Sequence, residues 1–382
     1  VSPRRFPAIS ALLFAAFILC LVPNGATQAA GPSIVVDVNS GRVIDHKDAF
    51  KRWYPASLTK LMTAYVVFRQ VQSGSLTMES PVTISRNATK APPSKMYFKI
   101  GSQMTLDHAL KTILVKSAND VSVAIAESVA GSNDRFIAMM NEEARRLGMT
   151  DTSFVNSNGL PGEGQSTTAR DMAVLGVALH RDFPGRMHYF ALEAITSGDK
   201  TYTNYNILIG RFPGANGMKT GFICSSGFNQ VSSATRNGRT VVSVVLGAKD
   251  QEERANESAR LLNTGFTSNS LGKSTLEGLR PYGKNRHQIA DLRPTICSKE
   301  ARKARYGGRD VEGRLVLNST YIKPLNRPAR AVPVRLTGRV ILADVPVPTP
   351  RPNLTGTASA SFAASSLKPA LDVPVPTPRP SL

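Results

Sequence analysis

Residues 58–71, LTKLMTAYVVFRQV, are apolar on almost every face. A helix at the surface of a globular protein carries one apolar stripe and a polar back; a helix apolar all round has to be enclosed. The chain must therefore build layers on every side of this segment. A length of 382 residues, 41% of them hydrophobic, suffices for such a core and excludes wholesale disorder or a collagen-like fibre.

The flanking segments indicate what the layers are. Residues 33–38 and 42–45 are short β-rich runs around the turn Asn39-Ser40-Gly41. Residues 106–117, 121–130 and 134–147 have helical spacing, with Gly, Asn and Pro at the breaks. Residues 217–223, 227–235 and 239–247 return to strand patterning, the last two joined through the hairpin signal Asn237-Gly238. Residues 252–266 are again helical, with Ala255, Ala259, Leu262 and Phe266 on one side. Strands, helices, strands and a helix imply an α/β chain of the α+β kind: an antiparallel sheet flanked by helices, with an inserted all-helical subdomain.

Both ends read differently. Arg4 and Arg5 precede an apolar run over residues 8–22, then Pro23, Gly25 and the small residues 26–30. This is the layout of a secretory signal peptide over residues 1–30. The run, about 15 residues, is short for a membrane span of about 20, and a retained anchor is the alternative. Export to the periplasm or cell envelope follows. Cys20 leaves with the signal, so Cys224 and Cys297 remain in an oxidising compartment as a candidate disulfide, two buried thiols being the alternative. His46, His108, His180, His188 and His287 form no metal-ligand spacing, so neither metal nor cofactor is expected.

Charge divides the chain again. The net charge is +20, and residues 271–382 hold 19 basic against 7 acidic residues. Residues 31–270 form the expected catalytic domain, 271–343 a basic extension, and 344–382 a proline-rich tail. In that tail Asp344-Val-Pro-Val-Pro-Thr-Pro-Arg-Pro recurs at 372–380, a pattern that is extended and outside any core. Residues 314–317 and 332–336 alternate and could be short strands. A basic extension suits an anionic membrane or wall surface, or is simply solvated. Nucleic acid is disfavoured in an exported protein without aromatic interleaving.

Ser-x-x-Lys occurs four times, at Ser57/Lys60, Ser197/Lys200, Ser270/Lys273 and Ser365/Lys368. Only Ser57 follows Pro55-Ala56 and opens the apolar helix. There its oxygen lies near the positive end of the helix and exposed backbone N–H groups. Lys60 lies one turn on, on the same face. In a buried setting its ammonium is desolvated, which leaves an amine able to take the serine proton. Ser117-Ala118-Asn119 could present a hydroxyl and an amide to a cleft, or be a helix cap; Ser85-Arg86-Asn87 repeats the short pattern. Lys219-Thr220-Gly221 occurs once, and Gly221 would let a ligand approach the strand closely. Its alternative is an edge-strand lysine beside a turn glycine.

Taken in order, these three motifs resemble those of the penicillin-binding proteins and serine β-lactamases. The fuller likeness is to the low-molecular-mass serine-type D-alanyl-D-alanine carboxypeptidases, carried also by Pro55–Thr63 (PASLTKLMT), Phe154–Leu160 (FVNSNGL) and Ala169–Ala173 (ARDMA). The resemblance covers roughly residues 31–270 and implies a β-lactamase/transpeptidase-like fold. By similarity Ser57 attacks the carbonyl between two terminal D-alanines and Lys60 is its base. Ser117 and Asn119 link Lys60 to the substrate and relay the proton. Lys219 and Thr220 receive the substrate carboxylate, and Arg254 falls where relatives keep a second carboxylate-reading arginine. The N–H groups of Ser57 and Phe222 form the oxyanion hole. The implied partners are peptidoglycan stem peptides ending in D-Ala-D-Ala, and β-lactams as covalent inhibitors. A D,D-endopeptidase cutting cross-links and a non-catalytic wall-binding protein are the alternatives. Glu163 lacks the Glu-x-x-Leu-Asn context of a β-lactamase deacylating residue, so a stable penicilloyl adduct is expected. The part after residue 270 does not resemble the β-rich C-terminal domain and amphipathic membrane helix of many relatives.

Overall fold

A computed structural model describes residues 31–307, 315 and 317–340. The expected signal peptide, the proline-rich repeats and most of the run 314–317 lie outside the described residues. Two strands open the described residues, β1 (Ser33–Asp37) and β2 (Val43–Lys47), followed by the central helix α1 (Thr59–Gln72). Strands β3 (Pro81–Thr83) and β4 (Ser102–Thr105) lead into the helices α2 (Leu106–Val115), α3 (Asn119–Ala130), α4 (Asn133–Arg146) and α5 (Ala169–Asp182). Then come β5 (Ala194–Ser197), β6 (Lys200–Thr203), β7 (Ala215–Ile223), β8 (Gly227–Arg236), β9 (Arg239–Ala248) and α6 (Gln251–Thr267). The extension adds α7 (Arg293–Ile296), α8 (Lys299–Gly307), β10 (Ala331–Pro333) and β11 (Gly338–Arg339).

Helix α1 has no outward face over its first three turns: every residue from Thr59 to Phe68 is buried. It packs against α2, α3, α4 and α5 and reaches β7. Its one phenol, Tyr65, donates to Asp182 and accepts from Arg146, so the hydroxyl is satisfied where the helix meets α4 and α5. The main sheet has the order β2-β1-β9-β8-β7 and is antiparallel throughout. Helix α6 covers one face and α5 the other, as an antiparallel sheet flanked by helices requires. The strand β7 is the free edge of this sheet on the side of α1.

Of the two small sheets, β10-β5-β6 and β11-β4-β3, only β10, which overlaps the alternating run 332–336, has a counterpart in the strand patterning of the sequence. Each is completed by a strand of the extension. β10 runs parallel to β5, with Val332 opposite Ile195, and β11 antiparallel to β4. Before β10 the extension is tied down repeatedly. Tyr282 Oη lies 2.6 Å from His46 Nδ1, Arg286 makes an ion pair with Asp151 at 2.9 Å, and Arg327 binds Glu193 through two nitrogens at 2.6 and 2.7 Å. The described residues all fall in one compact unit that ends at Ile341. Among them no helix is long and apolar enough to cross a membrane.

Cys224, in the turn between β7 and β8, is bonded to Cys297 at the end of α7, with Cα atoms 5.6 Å apart and a sequence separation of 73. A crosslink over that separation removes entropy from the unfolded chain, and losing it costs about 2–4 kcal/mol. Reduction of the folded protein is therefore expected to lower Tm, and Cys297→Ser to reproduce the lower value without reductant. Two alkylatable thiols before reduction, with an unchanged Tm after it, would contradict the crosslink.

Candidate active site

Pro55 and the 3₁₀ turn Ala56–Leu58 carry Ser57 into a cavity of about 310 Å³ at the edge of β7. Neither that turn nor α1 is capped by a side chain, so the Ser57 hydroxyl is not spent on the backbone. The turn is held from the sheet side by Asn229, whose Nδ2 donates to Tyr54 O at 2.9 Å. It is held from the helical side by the loop over residues 156–160. There Gly159, at φ +85, lies so close that a Cβ would stand 1.8 Å from Ala56 O. Only glycine combines that conformation with that approach. Ala56 itself sits at φ +47, a strained setting for a residue with a side chain.

Lys60 is fully buried and donates to Ser57 Oγ at 3.0 Å, Asn119 Oδ1 at 2.8 Å and the backbone oxygen of Asn158 at 2.6 Å. Burial holds its pKa well below the usual lysine value, and the nearby Lys219 lowers it further, with Asp120 opposing. In the neutral amine two hydrogens and one lone pair remain. Asn119 Oδ1 and Asn158 O can only accept, so they take the two hydrogens and leave the lone pair for the Ser57 hydroxyl, the one partner able to donate. The geometry thus aims a base at the serine.

Lys219 comes from β7 and is 1% exposed. Its Nζ donates to Ser117 Oγ at 3.0 Å and to Thr220 O at 2.8 Å. Burial, with a contribution from Arg254, brings its pKa to about 7. Ser117, expected at the end of a helix, instead follows it: α2 ends at Val115, and Ser117 turns through φ +61. The cap of α3 is Ala118, with no side-chain bond, so neither Ser117 nor Asn119 is spent on capping. Asn119 Nδ2 donates to Pro92 O at 3.0 Å, fixing the amide so that its oxygen faces Lys60.

Ser57, Ser117, Asn119, Thr220, Gly221 and Arg254 line the cavity, while the two lysines lie behind them. A Cβ on Gly221 would come 3.0 Å from both Pro55 O and Ser57 N, so glycine is what lets β7 lie against the nucleophile turn. Phe222 is at the rim, its ring 4.2 Å from that of Phe228. Arg254, on α6, is buried; Nη2 donates to Tyr205 O at 2.9 Å, and Nε has no partner among the described residues. A buried guanidinium with an open N–H beside a cavity suits an anionic ligand. The Ser197/Lys200 and Ser270/Lys273 pairs line no part of this cavity, and Ser365/Lys368 lies outside the described residues.

Two groups went unassigned in the sequence. Asn158 acts through its carbonyl, which any residue possesses, so its type carried no signal. Asp120 accepts backbone N–H groups from Met96, Tyr97 and Val121 and so ties the loop bearing Ser94 to α3 beside the cavity. An acidic residue directly after the Ser-x-Asn triplet was the available clue.

A family model described as D-alanyl-D-alanine carboxypeptidase matches residues 22–250. The D-alanyl-D-alanine carboxypeptidase DacC of Escherichia coli (strain K12) is 39% identical over 240 residues, 61% of this chain and 60% of its own. DacA of the same organism is 35% identical over 256 residues, 65% of this chain and 64% of its own. The chain thus matches less than two thirds of the length of these two relatives. Among solved structures, the carboxypeptidase DacD from Francisella tularensis is 30% identical with a TM-score of 0.61, covering 62% of this chain and 70% of that one. Penicillin-binding protein D2 from Listeria monocytogenes, solved in its ampicillin-bound form, is 28% identical with a TM-score of 0.57, over 62% of this chain and 97% of its own. In motif order, fold and extent of match, the chain belongs to the D-alanyl-D-alanine carboxypeptidase family.

Proposed function

We propose that this chain is a serine D,D-carboxypeptidase of the cell envelope. It removes the terminal D-alanine from peptidoglycan stem peptides through an acyl ester on Ser57, and β-lactams acylate the same serine. The observation that carries this reading is the fully buried Lys60, held by two obligate acceptors with its third position on Ser57 Oγ. A structural lysine has no need of such enclosure, which favours the neutral amine. The relatives' names support the substrate, and the ampicillin-bound neighbour supports the inhibitor class.

In acylation Ser57 Oγ forms a bond to the carbonyl carbon while its proton passes to Lys60 Nζ. The N–H groups of Ser57 and Phe222 receive the developing oxyanion, each such donor being worth a few kcal/mol of barrier in well-studied enzymes, about 3–4. Thr220, Lys219 and Arg254 hold the terminal carboxylate. The C–N bond then breaks, and the departing amine takes a proton from Ser117, which Lys219 restores across 3.0 Å; the family resemblance routes that proton from Lys60, but here Ser117 is bonded to Lys219. A lysine with a pKa of about 7 can give up a proton near neutrality. Water then attacks the ester along the same path, once the lysines have exchanged protons with solvent. Glu163 is exposed and does not line the cavity, and among the described residues no carboxylate lines it to hydrolyse a penicilloyl ester.

Incubation with a penicillin is expected to add one penicilloyl mass to the intact protein, and Ser57→Ala to abolish both the addition and release of D-alanine from a pentapeptide. No adduct on correctly folded protein would contradict the proposal. Lys60→Arg keeps the charge but cannot yield a base, and is expected to slow acylation by at least about 10²-fold. A rate within a few-fold of the original would remove Lys60 from the proton path.

A further inference from the structure

A second cavity, of about 420 Å³, adjoins the active-site cavity, and Phe222, Phe228 and Gln251 line both. Its far wall is the extension: Cys297, Arg302 and Arg305. Three contacts fix that wall against the β7–β8 turn. The Cys224–Cys297 bond is one, and Leu292 N donating to Ser225 O at 3.0 Å is another. The third is the Arg305 guanidinium, 5.6 Å from the Phe228 ring centroid and hydrogen-bonded to Ile296 O. The two acids on the opposite side are engaged by the backbone: Asp250 accepts Glu253 N at 2.8 Å and Glu252 accepts Asn318 N at 3.1 Å. Arg302 is exposed on α8.

We propose that this second cavity is a substrate subsite, in which Arg302 and Arg305 of the stapled extension receive a carboxylate on the peptide upstream of the scissile bond. This rests on the carboxypeptidase reading. Such an enzyme has a single residue beyond the bond it cuts, and the carboxylate of that residue is taken up by Thr220, Lys219 and Arg254. Any further subsite must therefore serve the acyl side. An acyl chain that leaves the site past Phe222 enters the second cavity, because that residue lines both. The guanidiniums beyond it match a carboxylate in charge and geometry. The extension thereby acts as a specificity element, and it selects acidic stem peptides over neutral ones.

The test compares two pentapeptides ending in D-Ala-D-Ala, one with a free carboxylate on an upstream residue and one with that group amidated. Wild type and Arg302→Glu are assayed with the disulfide intact. Wild type is expected to prefer the acidic peptide, and Arg302→Glu to raise KM for it by about tenfold with kcat little changed, the difference shrinking at high salt. KM for the amidated peptide should move far less. Equal KM values for the two peptides in wild type, or an unchanged preference in the variant, would overturn the subsite. Penicillin acylation, read alongside, separates the causes. A parallel fall in penicillin acylation in the variant would make Arg302 merely structural and overturn the proposal. A wild type that takes up no penicillin would overturn the serine reading and the subsite with it.

Discussion

The site depends on one costly placement, a lysine amine at the dry centre of the molecule. A charged ammonium there would need compensation that the surroundings do not supply. Its three partners are a hydroxyl, an amide oxygen and a backbone carbonyl, and the cation Lys219 acts on it more strongly than the opposing carboxylate of Asp120. The molecule resolves this by holding the group toward its neutral form. The consequence is chemical: the amine that cannot afford its proton is the one in contact with Ser57 Oγ. Helix α1 must be apolar all round for this to hold, because a polar face would bring water to Lys60.

Other parts of the structure serve that enclosure. The loop over residues 156–160 presses on the nucleophile turn through Gly159, and Ser157 O accepts from both Thr63 and Ser122, pinning it to α1 and α3. Asp120 holds the opposite loop. The edge strand β7 closes the third side, with Lys219 behind the cavity and Gly221 against Ser57 N. The β7–β8 turn is in turn held by Trp53, whose Nε1 donates to Ser226 O at 2.9 Å, and by the extension. The extension is thus packed against the catalytic fold as well as being basic. Part of its charge is engaged inside the chain, in the Arg286–Asp151 and Arg327–Glu193 pairs.

Much of this was legible in residue order. The apolar helix, the antiparallel strand runs and the three motifs each follow from local pattern, and the motifs' order carried the family resemblance. What was not legible has physical causes. The strand β11 is two residues long and owes its conformation to pairing with a partner well over a hundred residues away, and the alternating run 332–336 becomes strand only where it pairs with β5. Ser117 looked like the end of a helix, because the apolar spacing runs up to it; its left-handed turn is set by the cleft. The Asn158 carbonyl is a backbone group, invisible to any reading of side chains.

The most direct measurement of the central claim is the pKa of Lys60 itself, by NMR titration of side-chain-labelled protein, with Lys60→Arg used to assign the resonance. The account requires a midpoint well below the ordinary 10.5, with Lys60 losing its proton as pH rises through a range where exposed lysines keep theirs. Replacing Lys219 by a neutral residue should raise that midpoint, since a neighbouring cation is removed. A Lys60 midpoint near 10.5 in the folded protein would mean an ammonium beside Ser57 at neutral pH, and the proton path derived from its enclosure would be wrong.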